Sequence, residues 1–351
     1  MAERKRSSRI DRIVASAEKV FGQSVEQVTA PGGEGRASFR VHLPDQLVIA
    51  TLRPNFRRTH LEAFVLKELE GHCDLQPRCL GVDGEIMFQS DVGGRRLNQE
   101  IAAVDPGKKL DLAAESVTSI LRIQAGARAA GLNEAVPHLG QNDLWVANFA
   151  KGPTMLAEYS NGRVMGLSQD DLCRAIDRPG QQFVKWDCRS GNAAIGQDEV
   201  LRWFDFEYCG ARHGAEDLAW LIADEAWQVA PEDMQRIVTE SFDPNCGHSL
   251  DDYLDYLALY VTFHCAQRLG LIVKEARKRG WLSKAKVRKY DDAGVHPEFA
   301  AQICRVGTFF GDRNSLTAPI ARDFEEAEAV FIGILREGYL QAENLKEGLR
   351  A

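Results

Sequence analysis

Apolar periodicity changes character once along this chain, at Gly93-Gly94, and that change limits the architectures open to it. Before the glycine pair, apolar residues fall in short stretches at Val25–Thr29, Ser38–Leu43, Leu47–Leu52 and across Gly81–Ser90. Short alternating runs of this kind, bounded by turn residues, read as strands of a small sheet. Two helical patterns break them. Ile10, Ile13, Val14, Ala17, Val20 and Phe21 recur at helical spacing over 10–21, and Leu61, Phe64, Val65 and Leu69 share a face over 59–70. Pro31-Gly32-Gly33-Glu34-Gly35-Arg36 marks a tight turn, so the first two strands are expected to form a hairpin. After Gly93-Gly94 the pattern predicts a long helix over 108–130, with Gly131 as its stop signal. A loop-rich stretch follows, then short strands at Phe183–Asp187, Ala193–Ile195 and Val200–Phe206, and mostly helix from Asp217 onward. The expectation is an α+β chain with a small β-rich lobe over 1–92 and a larger, mainly helical lobe over 93–351. A cleft between two such lobes is a preferred place for a small-molecule site.

Charge and composition remove some function classes. The net charge is −8, so no nucleic-acid partner is expected, since general nucleic-acid binders are basic. The first nine residues are polar and basic with no apolar h-region, which is not a secretory signal. No apolar run is read as reaching the roughly 18 residues of a membrane span. The expectation is a cytoplasmic chain with no membrane partner. Its eight scattered cysteines form no C-x-x-C pair and are read as free thiols.

The chemistry-bearing stretch is Lys185-Trp186-Asp187-Cys188-Arg189-Ser190-Gly191-Asn192, followed by Trp203-Phe204-Asp205-Phe206-Glu207. Asn192 lies five positions after Asp187, on a polar loop between short strands, and Asp205 lies 13 residues further on at a strand end. Phosphoryl transfer asks for this set. One carboxylate orients the acceptor hydroxyl and receives its proton, while an amide oxygen and a second carboxylate hold Mg²⁺ against the phosphates. Arg189, in the same loop, either offsets transition-state charge or pairs with an acid.

At these residues the chain resembles the aminoglycoside phosphotransferase and choline kinase-like family, which has a protein-kinase-like fold. Its pattern is H-G-D-x-x-x-x-N, then a strand ending in D-x-[DE], then D-L-A. The matching residues are Asp187 and Asn192, Asp205 and Glu207, and Asp217-Leu218-Ala219. The resemblance implies ATP (or GTP) as co-substrate and a hydroxyl on an amino sugar, sugar or amino alcohol as acceptor. It implies Asp187 and Arg189 in the catalytic loop, and Asn192 and Asp205 as Mg²⁺ ligands. It also implies a nucleotide site formed by Gly33, Gly35 and Ser38 of the phosphate-covering hairpin, with Thr51, Arg53 and Glu62. Two positions depart from the pattern. Lys185-Trp186 stands in place of His-Gly, and Thr51 stands near the place of the usual strand lysine. Arg53, on the same strand face, or Lys185, from the other lobe, is expected to supply the missing charge. A nucleotide- or ligand-binding module without turnover is the alternative. Asp217, Asp224, Glu225, Asp251, Asp252 and Asp255, with Trp220 and Trp227, are the candidates for recognising an amine on the acceptor.

Overall fold

A computed structural model describes residues 2–30, 37–178 and 180–348. The Gly33 and Gly35 expectation falls on 31–36, outside the described residues. The first part is an antiparallel sheet in the order β1-β2-β3-β5-β4. Its strands are β1 (Gln27–Thr29), β2 (Ser38–His42), β3 (Leu47–Leu52), β4 (Cys79–Asp83) and β5 (Ile86–Ser90). Alternation along the strands gives the sheet two faces. On one face Phe39, Val41, Val48, Ala50 and Phe88 form a separate small core with Ile13 and Ala17 of helix α1 (Ala2–Phe21). The other face presents Ile49 and Thr51 to a cleft. Helix α2 (Phe56–Leu69) is capped by the Asn55 side chain, which accepts from the Arg57 N–H, and its Val65, Leu66 and Leu69 join Met87 in the main core. The two helices come out longer or shifted toward the N-terminus relative to their apolar patterns, because a first helical turn need not carry apolar residues.

The chain leaves this sheet through Asp91–Gly94. Gly93 has φ +115°, and a Cβ there would lie 2.7 Å from the Ile195 carbonyl oxygen, so the joint packs tightly on the second part. Next come β6 (Arg95–Arg96), α3 (Leu97–Ala103) and α4 (Pro106–Ala129). Asp105 caps α4, Pro106 opens it, and Gly131 just beyond it has φ +72°. The stretch read as loop-rich instead holds α5 (Leu132–Ala135), α6 (Asp143–Lys151), α7 (Gln169–Ile176) and 3₁₀ turns at Gly152–Glu158 and Arg163–Gly166. Segments this short show too few apolar repeats to reveal a period.

Four short strands follow: β7 (Gln182–Val184), β8 (Ala193–Ile195), β9 (Leu201–Trp203) and β10 (Gly210–Arg212). The helical remainder is α8 (Ala215–Ile222), α9 (Pro231–Ser241), α10 (Leu250–Arg279), α11 (Lys284–Tyr290), α12 (Pro297–Gly311) and α13 (Ala318–Gly348). Helix α10 is apolar over a stretch long enough to cross a bilayer, contrary to the sequence expectation, and 83% of that stretch is buried inside the protein. It forms the middle of the main core with α4, α8 and α12. All eight cysteines are free thiols.

Candidate active site

Strand pairing brings the two chemistry-bearing loops together. β8 pairs with β9, Ala193 opposite Trp203, and β7 pairs with β10, Val184 opposite Gly210. The loop from β7 to β8 and the loop from β9 to β10 must therefore lie side by side. Both strands feeding them stop earlier than their apolar runs suggest. Trp186 and Asp187 have φ +62° and +49°, and Asp205 has φ +68°. Positive φ is unusual for such residues and ends the ladder. The N–H groups that would extend β7 bond elsewhere: Asp217 Oδ2 accepts from Lys185 N at 2.8 Å and Oδ1 from Trp186 N at 2.7 Å. Backbone strain of this kind persists where surrounding structure holds it, and it concentrates at functional sites.

Asp187 is held on both oxygens. Oδ1 accepts from Arg189 Nε and Oδ2 from Asn192 Nδ2, each at 2.9 Å. The Asn192 amide thus gives its N–H to Asp187, and Oδ1 is the atom it retains for a cation. Burial works against the Arg189 charge, but Asp187 and Asp291 outweigh it and hold its pKa above the ordinary value. Arg189 lies 3.4 Å from Asp291, so it does pair with acids. Asp224, itself buried, accepts from Ser190 N at 2.7 Å and fixes the middle of the loop.

The departure at Thr51 has a structural counterpart. Thr51 is buried and donates to the Met87 carbonyl at 3.4 Å, while Arg53 makes the ion pair to Glu62. The Arg53 Nη2 lies 2.7 Å from both Glu62 Oε2 and Asp205 Oδ1, and Nη1 lies 2.8 Å from Glu207 Oε1. Glu62 is fully buried and accepts the Phe206 N–H on its other oxygen at 2.9 Å. Burial raises its pKa, and Arg53 pulls it back. Arg53, joined by Arg58 at 3.7 Å from Glu207, faces three carboxylates, which leaves the group with excess negative charge. That surplus, with the free oxygens of Asn192 and Asp205, suits a hard divalent cation such as Mg²⁺, which takes few protein ligands. Lys185 does not reach this group. Its buried Nζ lies 3.1 Å from Asp205 O, 3.3 Å from Trp186 O and 3.5 Å from Asp187 O, so it ties the two loops together from beneath.

Asn192, Phe204, Asp205, Thr51, Arg53 and Ser38 all line one cleft of about 440 Å³ between the sheet and the second part. A more open groove of about 1180 Å³ runs along Glu70–Asp74 and the Gly196–Arg202 turn. Three of its arginines are already paired, Arg40 with Asp91, Arg95 with Glu199 and Arg202 with Asp198.

Most of the acids expected at the acceptor are committed to other partners, while Asp251 and Asp255 line a separate cavity of about 240 Å³. Asp217 and Asp224 hold the catalytic loop, and Glu225 pairs with Arg268 at 2.5 Å. Asp252 accepts from Ser249 Oγ at its helix start, and Asp255 accepts from Asn314. Trp227 is buried, with its N–H toward Met234 Sδ. Trp220, a candidate from the sequence, contacts Trp186, and sequence reasoning did not link Trp145 and Trp186 with it. Trp186 is flanked by Trp145 at 6.1 Å, Trp220 at 6.0 Å and Tyr260 at 6.5 Å between ring centroids. The three tryptophans are half-buried and form an aromatic wall around Trp186, the residue before Asp187. Their separation in sequence left no local signal for them.

No family model matches the sequence, and no curated protein matches it. Solved structures do match the fold. Wild-type aminoglycoside 2′-phosphotransferase-IIIa, as its GDP complex, superposes with a TM-score of 0.54 at 15% identity, over 80% of this chain and 97% of that one. A choline/ethanolamine kinase family protein from Mesorhizobium loti gives a TM-score of 0.53 at 13% identity, over 90% and 99%. The fold is protein-kinase-like. The β1–β5 sheet is the small lobe of that fold, and the α4–α13 part is the large one.

Proposed function

We propose that this protein transfers the terminal phosphoryl group of a nucleoside triphosphate to a hydroxyl of a small molecule. The observation that carries the reading is the convergence of Asp187, Asn192 and Asp205 on adjacent loops, with the Arg53–Glu62 pair meeting Asp205 across the cleft. Asp187 orients the acceptor hydroxyl and takes its proton as the oxygen attacks in line. Arg189 and Asn192 fix the rotamer of Asp187, so the carboxylate is aimed before the acceptor arrives. Mg²⁺, with Asn192 and Asp205 as its protein ligands, would screen the phosphate charge. Glu62 and Lys185 keep Asp205 in register with the catalytic loop. The tryptophan wall supports an acceptor with a flat apolar face or an amine, through stacking or cation–π attraction. An amino sugar, sugar or amino alcohol fits that chemistry. The solved relative's complex with GDP and kanamycin lends support to a nucleotide and a small polyol-amine in this fold.

A second reading, nucleotide binding without turnover, is favoured by one observation: Arg53 already occupies Asp205 Oδ1, and the strand position of the usual lysine is Thr51. A screen for ADP or GDP release with MgCl₂ across amino sugars, sugars and amino alcohols separates the two. Release on any of these acceptors establishes transfer. Thermal stabilisation by nucleotide with no release on any supports the second reading, and no nucleotide binding at all sinks both.

A further inference from the structure

We propose that Arg288 and Lys289, at the C-terminal end of α11, are the cations that meet the nucleotide's phosphates. The inference rests on the phosphotransferase reading and assigns a role to a segment that reading does not use.

Charge accounting in the cleft leads to it. A triphosphate needs cations, and those nearest the site are already committed; Arg96, in the same cleft, donates to the Gly191 carbonyl and lies over the Phe204 ring. Arg53 faces Glu62, Asp205 and Glu207. Arg40 lies 2.9 Å from Asp91. Arg189 is shared between Asp187 and Asp291, and the Lys185 ammonium is spent on backbone carbonyls. Arg288 and Lys289 line the same cleft as Asn192 and Asp205, and among the described residues neither has a carboxylate within 4 Å. Arg288 is half-buried. Its Nη2 donates to the neutral Gln228 Oε1 at 2.9 Å, and its Nε is buried with no hydrogen-bond partner among the described residues. Burial lowers its pKa, and the pull of Glu298 and Asp224 does not make up the difference. Burying a guanidinium without a counter-ion is costly, and an anion in the cleft relieves that cost.

The segment is held in place rather than trailing. Ser283 caps α11, Asn98 Nδ2 donates to the Arg288 carbonyl at 3.1 Å, and the Arg288 side chain packs over Phe299 at 5.1 Å. Asp291, with φ +46°, touches Gly191 of the catalytic loop closely enough that a Cβ there would collide with it. Strand β3 lacks a lysine at Thr51, and the positive charge enters instead from the opposite side of the cleft.

The test is equilibrium binding of ATP and of adenosine to the full chain in MgCl₂, with GTP and guanosine as a parallel arm. Arg288→Gln and Lys289→Gln are each expected to weaken triphosphate binding about tenfold, to leave nucleoside binding unchanged, and to reduce the salt dependence. Arg288→Lys should restore part of the loss. Equal weakening of nucleotide and nucleoside, or no change in either, overturns the inference, as does a raised acceptor KM with triphosphate affinity intact. If Arg288→Gln does not fold, the exposed Lys289→Gln decides alone. Wild-type protein that binds neither triphosphate defeats the phosphotransferase reading instead.

Discussion

Replacing Arg53 with methionine removes the cation that, alone among the described residues, pairs with a fully buried carboxylate. Glu62 has no exposed surface, and it would keep one hydrogen bond, from Phe206 N, while facing the like charge of Asp205. Breaking a buried ion pair by deleting one partner costs about 3–5 kcal/mol, because the remaining charge is stranded. The cost depends on pH with a definite sign. Burial already lifts the Glu62 pKa above its unfolded value, and loss of Arg53 lifts it further. A raised carboxyl pKa favours folding at low pH and loses that contribution as pH rises through the folded value. Arg53→Met should therefore cost about 3–5 kcal/mol at pH 8 and less at pH 5.5, because falling pH favours the protonated Glu62. Urea unfolding at both pH values measures this, with the slope checked for constancy. Adding Glu62→Gln to Arg53→Met should recover part of the loss at pH 8, since the stranded charge is gone. A difference below about 1 kcal/mol at pH 8, or the same cost at both pH values, would refute the reasoning.

Three further expectations follow from the same geometry. Asp187→Asn should cut turnover by at least about a hundredfold while thermal stabilisation by nucleotide survives; wild-type turnover in this variant rules out Asp187 as the base. Asp205→Ala should abolish the dependence of nucleotide affinity on MgCl₂, measured by titration with and without EDTA, and an unchanged dependence removes Asp205 as a ligand. Burial raises the Asp217 pKa to about 6. Against the ordinary aspartate value of 3.8, this shift is worth on the order of 3 kcal/mol. That contribution is present below about pH 4 and lost as pH rises through about 6. Asp217→Asn should flatten this part of the stability–pH profile, and an identical slope in the variant would show that Asp217 does not titrate there.

The sequence by itself determined the elements that carry their own local signal. β3 runs over the same Leu47–Leu52 read from its apolar residues, and α4, with Asp105, Pro106 and Gly131 at its ends, needs no tertiary help to be located. The Asp187, Asn192 and Asp205 spacing was equally legible, because a tight loop and a strand end fix which side chains have neighbours in the chain. What lies between distant segments was not. Arg53 and Asp205 are 152 residues apart, and only sheet pairing and lobe packing put them in contact. Asp217, Asp224 and Glu225, read as part of an amine pocket, became buried supports, since a carboxylate's role depends on whether a backbone N–H, an arginine or water reaches it. Trp145, Trp186 and Trp220 make a wall only when three separate elements meet. Local geometry is encoded along the chain, whereas charge pairing and burial are properties of the folded interior, where neighbours are chosen by packing rather than by sequence order.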